Sequence, residues 1–360
     1  MKREIGSEFW NGCTLLNSKG IADYLPAGFD VQMTLCGRTA LEIIIEDAQM
    51  TGRAKRVYMP SYCCHTMIHP FIKHGIEITF YDVSATENGF RLDFDNNNSA
   101  DMVLLMDYFG FVSAQTEQIA HDQRQRDKIL IYDATHSIFC KDRDYSDYDY
   151  VFASLRKYLP VNAGFCAKQT AWYDFPKLQP FEQYVSLREQ GFTEKAAYVA
   201  GDSVQKETFL TAFSTAESML ETAYTHYAAD AASLRLLETV DVENLRAARQ
   251  RNARRLIAGV NQPEKPWLRT IPQTVSENDC PLFVPLALEP AVRDRFRSHM
   301  IATGVYLPIH WPVSNEHPDK RSSLYQTEIS CICDQRYHDD DMDYIIHQMG
   351  SFVYDDGSVF

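Results

Sequence analysis

The chain has 360 residues, 45% of them hydrophobic and 23% charged, with 20 Tyr and 20 Phe. That composition fits a packed globular fold of two domains, or one large and one small, and excludes a disordered chain. A formal net charge of −14 repels phosphate backbones, so no nucleic-acid partner is expected, although one local site for a small anion remains compatible with it.

The first ~30 residues, punctuated by Gly6, Gly12, Gly20 and Pro26, read as an irregular arm. Met1-Lys2-Arg3-Glu4 is followed by no apolar leader segment, and no run reaches the about 18 apolar residues of a spanning helix, so a cytoplasmic protein without membrane contact is expected. Apolar residues at helical spacing over Leu41 to Ala48 predict a helix, opened by Cys36-Gly37-Arg38-Thr39. Arg56 to Met59 reads as a short strand ending at Pro60-Ser61, then a helix through His74 closed by Gly75. Strands follow at Glu77 to Val83, Met102 to Phe109, Lys128 to Tyr132, Tyr148 to Ser154 and Gly164 to Ala167, with a polar helix near Gln115 to Gln125. Short apolar strands separated by helices indicate βαβ units and a mostly parallel sheet covered on both faces.

Residues 170–240 read as helical, including one stretch from Thr211 to Ala229. Asp241 to Val260 predicts an amphipathic helix whose Arg246, Arg249, Arg251, Arg254 and Arg255 form a solvated face. Beyond it, Leu282 to Leu286 and Val305 to Ile309 read as strands, and Val292 to Thr303 and Asp339 to Met349 as helices. Residues 1–240 are thus expected to form the arm and a large α/β domain, and 241–360 a small α+β domain. The nine cysteines are scattered and odd in number, so free thiols are expected. Neither Cys63-Cys64 nor Cys331-x-Cys333 has the two-residue gap of common zinc sites, and no metal is expected.

Ligands of open α/β sheets sit at the carboxyl ends of the strands. Asp133 closes one predicted strand, where it is either a cap or ion-pair partner or a carboxylate facing a cofactor nitrogen. His136 comes three residues later and is either structural or placed against a cofactor ring. Lys157 follows the next strand; surface lysines are mostly just solvated, but one desolvated in a pocket attacks an aldehyde. Ser154 and the helix start Gly37-Arg38-Thr39 offer a hydroxyl and free N–H groups suited to phosphate. The order carries more than any single residue: a phosphate-type helix start, an Asp at a strand end, then a Lys 24 residues later with a Ser three before it.

With Cys-Gly-Arg-Thr-Ala-Leu (36–41), Val-Tyr-Met-Pro-Ser-Tyr-Cys-Cys (57–64), Asp-Ala-Thr-His (133–136) and Ser-Leu-Arg-Lys-Tyr-Leu-Pro (154–160), the sequence resembles the DegT/StrS-type sugar aminotransferases. These are fold type I enzymes dependent on pyridoxal 5′-phosphate (PLP). The similarity runs from about Gly6 to Gly164 and weakens later, with Asp241 to Leu256, Gly304-Val305-Tyr306 and Asp334-Gln335-Arg336-Tyr337 resembling the family's late segments. The resemblance implies a large domain with a mostly parallel, seven-stranded type of sheet, a smaller α+β domain, and a homodimer with active sites at the subunit interface.

It also implies roles. Lys157 holds the cofactor's aldehyde carbon covalently and moves the substrate proton, Asp133 pairs with the pyridine nitrogen, and His136 lies near the phenolic oxygen. Ser154, Gly37, Arg38 and Thr39 grip the phosphate, Tyr62 or Cys64 faces the ring, and Arg336 and Tyr108 are substrate contacts. Cys64 stands four residues after Pro60, where the family often has an aromatic; stacking then falls to Tyr62 or is absent. Asn162-Ala163-Gly164 replaces the usual acidic–Gly–Gly run. The implied activity is transfer of an amino group from glutamate to a keto sugar, nucleotide-linked, in polysaccharide or glycoconjugate synthesis. Two other readings stay open: a PLP enzyme acting on an amino acid (transaminase, C–S lyase or decarboxylase), and a catalytically silent PLP-fold partner.

Overall fold

In the computed structural model, which describes residues 4–17, 19–312 and 322–354, the arm is tied down at once. β1 (Ile5–Gly6) lies parallel to a late two-residue strand at Val305–Tyr306. Met1 to Arg3, part of the expectation about a leader, lie outside the described residues. Then β2 (Asp30–Thr34), α1 (Gly37–Gln49), β3 (Arg56–Pro60), α2 (His65–Lys73), β4 (Glu77–Thr86), β5 (Gly89–Asp93), β6 (Met102–Met106), α3 (Ala114–Arg124), β7 (Ile129–Asp133), β8 (Tyr150–Ser154) and β9 (Gly164–Lys168) follow in turn.

These strands make one eight-stranded sheet in the order β2-β9-β8-β7-β6-β3-β4-β5. β8, β7, β6, β3 and β4 pair in parallel, whereas β9 and β5 run against their neighbours. Every residue of β6, β7, β8 and β9 is buried. Such continuous apolar strands are what a sheet covered on both faces requires. The apolar face of α1 (Ala40, Leu41, Ile44, Ala48) closes on β8 and β9.

The expected sheet is exceeded by one strand. β5 forms a hairpin with the end of β4 through Thr86-Glu87-Asn88-Gly89, with Gly89 at φ 121°. Its alternation is only half apolar, which hid it in the sequence. β2, whose Asp30-Val31-Gln32-Met33 is only partly buried, was hidden for the same reason.

α4 (Glu182–Ala200) and α5 (Lys206–Thr222) pack as an antiparallel helical hairpin. A Cβ on Gly191 would stand 2.6 Å from the Phe213 ring, so this close approach requires a glycine. The stretch Thr211 to Ala229 does not stay one helix: it ends at Thr222, and α6 (Ala231–Thr239) starts afresh where Asp230 caps the Ala232 and Ser233 N–H groups. The remaining elements are α7 (Val242–Val260), β10 (Arg269–Thr270), β11 (Val284–Ala287), α8 (Pro290–Ala302), β12 (Val305–Tyr306), α9 (Leu324–Thr327), β13 (Glu328–Cys331) and α10 (Asp339–Ser351). Strand order β10-β11-β13 gives a second, smaller antiparallel sheet.

The arginine face of α7 is not uniformly solvated. Arg246 and Arg249 are buried: Arg246 donates to the Phe139 and Glu277 carbonyls (2.6 and 2.9 Å), and Arg249 to those of Pro281 and Leu282 (3.0 and 3.1 Å). Unpaired loop carbonyls between the two sheets offset the desolvation of these charges, and a helical-wheel pattern cannot foresee them. All nine cysteines are unbridged, and seven are buried.

Candidate active site

Strand ends assemble the site. Register places Asp133, the last residue of β7, beside Phe152 of β8, and Ser154, the last of β8, beside Gly164 of β9. Thr34, at the end of β2, meets Gly164 from the other side, which brings the start of α1 against Ser154. A Cβ on Gly37 would lie 3.1 Å from Ser154 Cβ, and one on Gly164 would lie 2.6 Å from the Ala153 carbonyl oxygen and 2.7 Å from the Cys36 carbonyl carbon. Position 164 therefore requires a glycine for this approach, and at position 37 a side chain would crowd Ser154.

Ser154 is 7% exposed, and its Oγ is buried with no hydrogen-bond partner. Cys36, the N-cap of α1, makes no side-chain capping bond. An orphaned hydroxyl beside an uncapped helix start is a fit for phosphate. Thr39 and Arg38 are engaged elsewhere: Thr39 Oγ1 donates to the Tyr224 carbonyl at 2.5 Å, and Arg38 binds the Leu220 carbonyl (2.6 Å) and Glu221 (3.0 Å).

Asp133 is 3% exposed; its Oδ1 accepts the Thr135 N–H at 2.8 Å, and it has no ion-pair partner among the described residues. Burial pushes its pKa up to about 6, against the Thr135 hydrogen bonds and the Lys157 charge. Such an acid lacks a cation opposite it, which a ring N–H would supply. His136 is buried and its Nδ1 accepts the Phe109 N–H at 3.1 Å. Burial, with the charges of His310 and Lys157, lowers its pKa well below the ordinary value. The ring is therefore neutral, and its proton sits on Nε2.

Lys157 ends the short turn Leu155–Lys157 directly after β8. Its ammonium is exposed to a cavity of about 640 Å³ and has no hydrogen-bond or ion-pair partner among the described residues. His136, Glu8, Arg156, Arg188, Glu217 and Trp311 are among the residues lining the same cavity. Asp133, His136 and Cys64 each respond to the Lys157 charge. A buried acid, a neutral imidazole, a lysine with no ion-pair partner among the described residues and an orphaned hydroxyl beside closely approached glycines fit a phosphorylated aldehyde with a basic ring nitrogen. The residues present therefore suit PLP.

Tyr62 is fully buried, its ring 5.6 Å from Tyr108, and Tyr108 donates its hydroxyl to the Tyr62 carbonyl at 2.7 Å. Cys64 is half-buried at the start of α2; burial works to raise its thiol pKa, but hydrogen bonds with His65 and Thr66 outweigh it and leave it lowered. Arg336 lines the cavity, with its guanidinium on Asp334 (2.7 and 2.8 Å) and on the Ser7 and Glu8 carbonyls.

Sequence reasoning missed Trp311, which stacks on His136 at 5.7 Å and 15°, and the group Glu8, Arg156, Arg188 and Glu217. The aromatic run His310-Trp311 was the one visible signal. The charged group had none, because its members come from the arm, the Lys157 turn, α4 and α5.

No protein-family model and no curated protein sequence matches the chain. Solved structures do match. The chain resembles the sugar aminotransferase CalS13 from Micromonospora echinospora at 12% identity, covering 98% of this chain and 100% of that one, with a TM-score of 0.61. A DegT DnrJ EryC1 StrS aminotransferase from Brucella abortus matches at 16% identity over 92% and 87%, TM-score 0.57. NtdA from Bacillus subtilis, solved with PMP bound, matches at 14% identity over 89% and 72%, TM-score 0.58. The chain thus has the fold type I architecture of these aminotransferases.

Proposed function

We propose that this chain is a PLP-dependent aminotransferase that moves an amino group from glutamate to a keto sugar, nucleotide-linked, as a cytoplasmic homodimer. The observation that carries the reading is the placing of Asp133 and Ser154 at adjoining strand ends, with Ser154 Oγ unpartnered, and of Lys157 three residues beyond Ser154 on the wall of the cavity that His136 also lines. The fold shared with aminotransferases, one described as acting on sugars and one solved with PMP, supports it. No helix among the described residues is long and apolar enough to cross a membrane.

When bound, PLP supplies an aldehyde for covalent attachment and a pyridinium that accepts electron density from the reacting carbon. Ser154 Oγ and the first N–H groups of α1 would hold its phosphate, Asp133 its ring N–H, and His136 Nε2–H its phenolic oxygen. Ionised opposite a cation, Asp133 keeps that N–H protonated. Lys157, freed of its covalent bond, would take the proton from the donor carbon as base and deliver it as acid to the cofactor carbon it had held. Trp311 and Ser7, Glu8 and Phe9 of the arm line the same cavity.

The test is spectroscopic. Purified protein given PLP should be yellow, Lys157→Ala should lose the visible band, and glutamate should bleach it in the wild type. Protein that stays colourless with PLP would refute the assignment; pyruvate or sulfide released from cysteine would replace transfer by lyase chemistry.

A further inference from the structure

Arg188, on α4, is 2% exposed, and the cationic carbon of its guanidinium lies 4.8 Å from the ring centroids of both Phe192 and Phe213. Its Nη2 meets Glu8 Oε2 at 3.2 Å and its Nε meets Asn162 Oδ1 at 3.4 Å. Nη1 is buried with no hydrogen-bond partner; the nearest anion, Glu217 Oε1, stands 3.9 Å away and is already shared with Arg156. Leaving a buried charged donor unmet is costly, and the two rings fix the guanidinium so that it cannot turn away to find a partner. Arg188, Glu8, Glu217 and Lys157 line one cavity.

We infer that Arg188 is the residue that receives a carboxylate of the amino donor, exchanging Glu8 for it. This rests on the aminotransferase reading. Two carboxylates already approach this guanidinium, which shows the ligand shape the place accepts: planar, with two oxygens, matched to the Arg fork. Both lie within reach of the Lys157 charge, which helps Arg188 and Arg156 hold them ionised against burial. In an amino acid the α-carboxylate is one bond from the carbon whose proton Lys157 moves, whereas a sugar nucleotide's phosphates lie several bonds from its reacting carbonyl. The residue that yields is Glu8, because it belongs to the arm, while Glu217 is gripped by Arg156 on both oxygens. Lys195 and Arg336, which bind the Glu8 carbonyl, hold the arm's backbone in place while its side chain swings.

The probe is glutarate, a dicarboxylate with no amino group to react, titrated calorimetrically into the purified protein. Arg188→Met, which keeps the packing between the two rings, should weaken glutarate by about tenfold or more, raise KM for glutamate similarly, and leave kcat and the affinity for uridine diphosphate unchanged. Glu8→Gln removes the competing anion and should tighten glutarate severalfold. If Arg188→Met does not fold, the Glu8→Gln result decides alone: unchanged or weaker glutarate binding overturns the inference. It is also overturned if wild-type protein binds no glutarate, or if Arg188→Met loses uridine diphosphate instead. Failure is separable from that of the function itself, because PLP uptake is read independently. Yellow protein indifferent to Arg188 sinks this inference only, and protein that takes up no PLP sinks the aminotransferase reading.

Discussion

Asp133 carries a cost that its ligand would remove. Its pKa rises to about 6 because burial opposes the anion, whereas in the unfolded chain it titrates near 3.8. The folded state therefore holds its proton more tightly. This contribution to stability is fully present below pH ~4 and is lost as pH rises through 6. At pH 8 the ionised acid destabilises the cofactor-free protein by up to about 3 kcal/mol. Asp133→Asn should accordingly raise the urea midpoint of cofactor-free protein at pH 8, leave it unchanged at pH 4, and abolish transamination. A midpoint difference independent of pH would show that desolvation of the acid is not the cause.

At the same scale, the positions of Asp133 and Ser154 were legible because each closes a short apolar run that reads as a strand, and Lys157 because it follows the second of these by three residues. The partners of Arg38, Thr39 and Arg336 were not. Each reaches a carbonyl or carboxylate far away in sequence: Leu220, Tyr224, or the arm at Ser7 and Glu8. Local pattern records residue type, and long side chains choose their partners only after packing.

Among the elements, the joint between β8, β9 and α1 depends on hydrogen-sized space. Gly164→Ala places a Cβ 2.6 Å from the Ala153 carbonyl and 3.0 Å from the Gly37 nitrogen. It should lower stability by about 1–3 kcal/mol through overpacking. It should also weaken PLP more than it weakens the fold, since the start of α1 must back away from Ser154. Parallel PLP titration and urea denaturation would check both; a stability loss with intact PLP affinity would dissociate this joint from the phosphate site. The hairpin strand β5 and the break between α5 and α6 were less legible, because each is set by a turn whose residues, Glu87-Asn88-Gly89 and Asp230, act only once the flanking strands or helices pack.

For the whole molecule, α7 is the seam between the two sheets. Asn252, fully buried, donates to the carbonyls of Cys333, Asp334 and Tyr337 at 3.3, 3.0 and 2.9 Å. Asn252→Leu keeps the volume but strips those acceptors of a donor, and should cost about 2 kcal/mol. A fall in the urea midpoint with an unchanged slope is the expected result. The proposed homodimer should sediment at twice the 41.3 kDa chain mass at micromolar concentration; a monomer that transaminates would remove the interface from the mechanism.

By itself the sequence determined the layered α/β architecture, the chain order of its principal strands, the strand ends at which an acid and a hydroxyl stand, and the lysine three residues beyond the second. These follow from hydrophobic period and turn residues, which are local. Only the tertiary structure decided which charges are buried and what faces them: Arg246 and Arg249 turned inward on loop carbonyls, and Arg188 fixed beside two phenyl rings with one nitrogen unmet. Burial and pairing are set by residues far apart in the chain, and no local periodicity encodes them.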